Sequence, residues 1–151
     1  MSTLSIHSDE HFMKQAFNEA QKAYDIGEIP VGAVVVCENR IIAKDHNRVE
    51  QLNDATAHAE MLAVTAAQNH LGSKYLKECT LYVTLEPCCM CTGALFWTQI
   101  GKLVIGADDP ERGYTSKDAS IIHPKTKVKT GIMSTESEEL IKSFFKKIRG
   151  N

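Results

Sequence analysis

The chain predicts an α/β domain on a mixed sheet, and three observations carry that prediction. Segments of helical period alternate with apolar runs of strand length. The first two of those runs are joined by a short turn, which makes them an antiparallel pair. The alternation continues to the end of the chain, so helices are available to cover both faces. At 151 residues the chain has the length of one domain with its own hydrophobic core, and residues 1–151 are assigned to it. A composition of 43% hydrophobic and 24% charged residues, without low-complexity tracts or repeats, excludes fibrous and disordered classes.

From Ser8 to Tyr24, Phe12, Met13, Ala16, Phe17, Ala20, Ala23 and Tyr24 recur at helical spacing, with Ser8 as N-cap and Gly27 as the stop. "IPVGAVVVCE" reads as a buried strand, "NR" as the turn and "IIAKDHN" as its hairpin partner. "ATAHAEMLAVTAAQ", rich in Ala and free of Gly and Pro, predicts a helix from near Thr56, with His58 in its first turn. "TLYVTL" is the third strand. Pro87 suits the start of a helix that "CCMCTGALFWTQ" continues, and "KLVIGA" is the fourth strand. "DDPERGYTSKDAS" reads as a polar connection and "KVKTGI" as a fifth strand. A last helix is expected from about Glu136 to Ile148, with Thr135 and Glu138 as a capping box and Lys146, Lys147 and Arg149 at its end.

Net charge is −2 and the pI about 6.3. This excludes a protein that holds nucleic acid by a global basic excess, so a polyanion must meet a local patch. The N-terminal "MSTLSIHSDEH" has no basic segment followed by an apolar core, and no apolar run approaches bilayer length, so a cytoplasmic protein without membrane contact is expected. In a reducing compartment five cysteines are thiols, packed side chains or metal ligands rather than a disulfide framework.

Three of the five lie in "LEPCCMC". Cys88 and Cys91 are three apart, on one helical face, at a helix start where thiolates are stabilised. A CxxC pair alone also serves redox sites and structural zinc sites. The upstream "TAHAE" adds His58 as a third ligand and Glu60 as a nearby carboxylate. Three protein ligands leave tetrahedral Zn²⁺ one open position, the arrangement of a catalytic site, where bound water becomes acidic and a carboxylate can move its proton. A four-ligand structural site that also uses Cys89 is disfavoured, because adjacent helix residues diverge by about 100°. Cys37 and Cys79 read as small core residues.

The pattern His58-x-Glu60 with Pro87-Cys88-x-x-Cys91 resembles the signature of the zinc-dependent cytidine deaminase superfamily. Within it, "EIPVGAVVV", "HNR", "NDATAHAE", "TLYVTLEPCCMCTGAL", "IGKLVIGADD" and "SFFKKIRG" are similar, in order, to the bacterial tRNA adenosine deaminases. The resemblance implies a three-layer α/β/α cytidine-deaminase-like fold with a five-stranded mixed sheet. It also implies a homodimer, one Zn²⁺ per subunit on His58, Cys88 and Cys91, and conversion of adenosine to inosine at the wobble position of a tRNA anticodon. Zinc-activated water would add to C6 of the adenine, with Glu60 moving the protons. Asn47 and the backbone at Ala59 would bind the base, Pro30 and Val31 would line the pocket, Asp109 would touch a flanking ribose, and Phe145 with the basic helix end would meet the anticodon loop.

Two departures keep alternatives open. Asp108-Asp109 stands where that family has Arg-Asp, which places an anion near phosphates. Trp97, in "GALFWTQ", is similar to the aromatic pair of bacterial guanine deaminases, so a free purine base is an alternative substrate; core or dimer interface is the commoner place of a lone helical Trp. A non-catalytic zinc-binding module is the reading from a different class, against which Glu60 argues.

Overall fold

The computed structural model describes residues 7–150; residues 1–6, part of the stretch read for a leader, and Asn151 lie outside them. Five strands form one mixed sheet in the order β2-β1-β3-β4-β5. β1 (Gly32–Cys37) is antiparallel to both β2 (Arg40–His46) and β3 (Cys79–Leu85), while β4 (Lys102–Ala107) and the edge strand β5 (Lys127–Thr130) continue parallel to β3. The α/β architecture expected from the alternation is therefore present, with the five strands that the resemblance implied.

Helices cover both faces. Phe12, Met13 and Ala16 of α1 (Asp9–Asp25) pack with Val34, Val36, Tyr82 and Val104 on one face, which α6 (Ser134–Ile148) also covers. On the other face, Ala59, Ala63, Val64 and Ala67 of α3 (Ala59–Leu71) and Leu95 of α4 (Cys89–Thr98) pack with Ala33, Val35, Leu81, Val83, Leu103 and Ile105. The alternation of sheet residues between the two clusters is the period of two that strands impose. α1 starts as read: the Ser8 hydroxyl accepts from the His11 N–H at 3.0 Å, and Gly27, at φ +83, ends the helix in a conformation that favours glycine.

Four boundaries differ from the sequence reading, each for a local reason. The hairpin turn is Glu38-Asn39, both at positive φ, and not Asn39-Arg40; Arg40 already pairs with Cys37, and the ladder carries a register shift at Val35/Val36. α3 starts at Ala59, because the Asp54 carboxylate ties up the Thr56 N–H and hydroxyl, each at 2.8 Å, and holds the preceding turn out of the helix. His58 is thus the N-cap rather than a first-turn residue. The capping box of Thr135 and Glu138 is not formed: α6 starts at Ser134 after Met133, which sits at φ 59, because Ile132 and Met133 are anchored against the α1-side core. The connection after β4 contains two short helical pieces, α5 (Tyr114–Asp118) and a 3-10 turn (Ala119–Ile121), and a further short helix, α2 (Val49–Leu52), follows β2.

The topology gathers one end of the sheet for chemistry. β2, β3 and β4 finish there and β1 begins there, with the Gly32 N–H donating to the Thr84 hydroxyl at 3.1 Å. The segments 28–31, 47–52, 86–88 and 109–113 all leave or enter the sheet at this end, outside the carboxyl ends of the parallel strands.

Candidate metal centre and substrate cleft

Two helix N-termini converge at that end. His58 caps α3 and Cys88 caps α4, with Cys91 in the first turn of α4. His58 Nδ1 lies 3.6 Å from Cys88 Sγ and 3.5 Å from Cys91 Sγ. A tetrahedral zinc ion with ordinary Zn–S and Zn–N bonds holds sulfur and nitrogen about 3.6 Å apart, so the three donors fit the ion in both chemistry and spacing. Cys91 is fully buried, whereas Cys88 and His58 are half-buried toward open space.

Without metal, the three donors share protons unequally. A hydrogen bond with the Cys91 thiol and the neighbouring His58 bring the Cys88 thiol down to about 4 against the opposing effect of burial. The Cys88 thiolate and burial push the Cys91 thiol up, and the hydrogen bond to Cys88 raises His58. Glu60, in the first turn of α3, is 4% exposed, and burial pushes its carboxyl up to about 7 against a hydrogen bond from its own backbone N–H. A carboxyl poised near neutrality beside a metal set exchanges protons readily in both directions.

These groups border a cleft of about 920 Å³. Of the residues expected to contact substrate, Asn47, Val31, Ala59, Asp109 and Phe145 line it. Pro30 is buried and outside the cleft lining, at the centre of a tight turn that the Val31 N–H closes on the Ile29 carbonyl at 2.9 Å, while Ile29 and Val31 on either side line the cleft. Asn47 donates to the Ile29 carbonyl at 3.2 Å and accepts from the Val49 N–H at 3.4 Å, which fixes its amide in the wall. Ala59 opens α3, so its N–H has no partner within the helix. Of the basic tail residues, only Arg149 borders the cleft; the Lys147 ammonium instead lies over the Tyr24 ring, 5.1 Å from its centre. Trp97 is 76% exposed and outside the cleft lining, which excludes a core role. Cys89 packs against the α3-side core, and Cys79 is buried there with Cys37 against it.

Sequence reasoning missed two buried carboxylates that brace the cleft. Glu28, 1% exposed, accepts from the Glu50 and Gln51 N–H groups at 3.1 and 2.6 Å and so anchors α2. Glu86, 6% exposed, accepts from the Asp109 N–H at 3.0 Å and from the Thr115 N–H and hydroxyl at 2.9 and 2.5 Å. Gly113 lies so close that a Cβ there would overlap the Glu86 carboxylate. The only available signal was two acids at strand ends, where an apolar context demands a partner. A second donor cluster, Glu19, Asp45 and His46, is already engaged: Lys22 and Arg48 pair with its acids at 2.8 and 2.6 Å, and His46 Nδ1 lies 3.0 Å from the Asn47 carbonyl.

Residues 6–107 match the cytidine and deoxycytidylate deaminase zinc-binding region. A tRNA-specific adenosine deaminase of Aquifex aeolicus is 47% identical over 146 residues, covering 94% of this chain and 97% of the relative. The chain belongs to this deaminase family. A solved structure from work on A-to-I editing by tRNA:A34 deaminases superposes with a TM-score of 0.80 at 40% identity, covering 86% of this chain and 98% of that one. A guanine deaminase structure from Bacillus subtilis is also 40% identical, with a TM-score of 0.64 over 67% of this chain and 65% of that one. The protein is therefore a hydrolytic deaminase with a zinc-binding deaminase region, and His58, Cys88 and Cys91 are a donor cluster that could hold the metal ion. Among the described residues no helix is long and apolar enough to cross a membrane.

Proposed function

We propose that this deaminase converts adenosine to inosine at the wobble position of a tRNA anticodon, releasing ammonia as water is consumed. The observation that carries the reading is the geometry at Glu60: a buried carboxyl that borders the cleft, two residues from His58 and beside three donors spaced for zinc. The near full-length similarity to tRNA-specific deaminases supplies the substrate class. Zinc, when held by His58, Cys88 and Cys91, supplies a Lewis acid that makes water nucleophilic near neutral pH.

The chain's own residues do the rest. The Glu60 carboxylate takes a proton from the attacking water, gives it to the adenine ring nitrogen, and moves a second to the departing amine. Asn47 keeps one amide N–H and one oxygen lone pair beyond its two wall contacts. With the Ala59 N–H, these recognise the base edge, while Val31 bounds the pocket and Asp109 and Phe145 meet the flanking nucleotides. Glu28 and Glu86 keep the two walls in place.

The second reading, a free-purine deaminase, is supported by the likeness to the Bacillus subtilis guanine deaminase. Trp97, the residue that prompted it, lies away from the cleft, whose volume is at the upper end of the range for small ligands, about 300–1,000 Å³. Met90 and Trp97, two turns apart on α4, present an exposed apolar face together with Phe96, and this face supports a homodimer. The similarity to bacterial tRNA-specific deaminases supports a cytoplasmic location. Offering the purified protein a stem-loop with A at the wobble position, in parallel with guanine, cytosine and adenosine, tests the substrate. Inosine in the RNA is expected; ammonia from guanine with no inosine would overturn the reading.

A further inference from the structure

Three cations line the cleft: Arg112, from the connection after β4, and Lys142 and Arg149, from α6. Lys142 stands 3.9 Å from Glu138. Among the described residues, neither Arg112 nor Arg149 forms an ion pair, although Lys22, Arg48, Lys102 and Lys129 all take a carboxylate within reach. Arg112 has two acids close by in sequence and pairs with neither. Oδ1 of the Asp109 carboxylate is occupied by the backbone N–H groups of Glu111 and Arg112, at 3.2 and 3.0 Å.

The guanidinium is therefore left over on a segment that is otherwise tightly held. Glu86 fixes the Asp109 N–H on one side of Arg112 and Thr115 on the other, and Gly113 is packed onto the same carboxylate. Asp108, the acid that argued against RNA binding, is exposed and lies outside the cleft lining, whereas Arg112 lies within it. We propose that Arg112 is a substrate-binding residue that takes a backbone phosphate of the RNA strand beside the target nucleotide, in the cleft that Arg149 also lines. A planar guanidinium on a braced loop loses little freedom on meeting phosphate and binds it through two hydrogen bonds. The inference rests on the RNA reading above.

The test is steady-state deamination of a wobble-A anticodon stem-loop across a salt series by wild type, Arg112→Ala, Arg112→Lys and Lys117→Ala. Lys117 is an exposed cation on α5 outside the cleft lining. Arg112→Ala is expected to raise KM about tenfold at low salt, with the loss on KM rather than kcat. The slope of log(kcat/KM) against log salt should become shallower by about 0.7, the value for one contact to a single strand. Arg112→Lys should restore part of the affinity, and Lys117→Ala should change neither quantity. An unaltered salt slope in Arg112→Ala, or an equal loss in Lys117→Ala, overturns the proposal while RNA deamination by the wild type stands. Wild-type protein that releases ammonia from guanine and leaves the stem-loop unedited overturns the RNA reading and Arg112 with it.

Discussion

At the floor of the cleft, His58, Glu60, Cys88 and Cys91 stand at the N-termini of two helices, with Glu60 and Cys91 buried. At its rim, Asp109, Arg112, Phe145 and Arg149 come from a loop and the C-terminal helix, and all are half or fully exposed. The floor uses few residues whose positions are dictated by helix caps, so a displacement of one donor breaks the set. The rim spreads its contacts over elements far apart in sequence, and each contact contributes modestly. On the proposed reading, reaction type is fixed at the floor and substrate affinity is distributed over the rim, so the two regions should fail differently when changed.

The largest failure belongs to the donors. Cys91→Ala removes a fully buried donor of the cluster, and stoichiometric zinc and measurable deamination are expected to be lost together, as read by metal analysis and activity assay of the purified protein. Glu60→Gln separates the two properties: zinc should be retained while kcat falls by roughly 10⁴-fold, the upper range for a lost acid–base group. Residual activity near the wild-type level would remove Glu60 from the mechanism.

Acid should strip the floor and spare the rim. In the metal-free chain Cys91 and His58 have raised proton affinities while Cys88 is already a thiolate above about 4. Zinc binding must therefore displace the Cys91 proton, joined by the His58 proton where acid has protonated the imidazole, and affinity rises with pH. Lowering pH should weaken zinc by about tenfold per unit for each proton displaced, measurable by competition with a chromophoric chelator. A pH-independent affinity would contradict the proton assignment.

The two regions were also unequally legible in the sequence. His58, Glu60, Cys88 and Cys91 could be grouped because short spacings at helix starts carry direct geometric meaning. The sheet followed from period and turn signals, and the α1 boundaries from Ser8 and Gly27. What escaped depends on contacts between distant segments. Glu28 reaches N–H groups 22 and 23 residues on, and Glu86 reaches others up to 29 residues on, distances that no local pattern encodes. The start of α6 escaped for a similar reason, since burial of Ile132 and Met133 overrode a plausible capping box. Pro30 could not be told from its neighbours in the sequence: Ile29 and Val31 line the cleft, and Pro30, buried within the turn between them, does not.

A smaller effect should come from Gly113→Ala, which acts on the rim alone. The added methyl overlaps the Glu86 carboxylate, so either the brace or the loop must shift, at a cost of about 2 kcal/mol typical of overpacking. Zinc content should be unchanged while KM for the RNA rises. Loss of zinc in this variant would mean that the rim and floor are mechanically one unit, because Glu86 adjoins Pro87 and Cys88.

The smallest effect is expected at Cys89, between the two ligands in sequence yet outside their set. As the first residue of α4 it is rotated by about 100° from the Cys88 cap position, and its side chain packs against the α3-side core. Cys89→Ala removes one half-buried sulfur and should cost about 1 kcal/mol or less. Zinc stoichiometry and kcat should match wild type within error. A fall in zinc content would show that the thiol competes for the ion, and the three-donor count that leaves one position open for water would have to be abandoned. The variant with the least expected consequence therefore tests the premise on which the largest one depends.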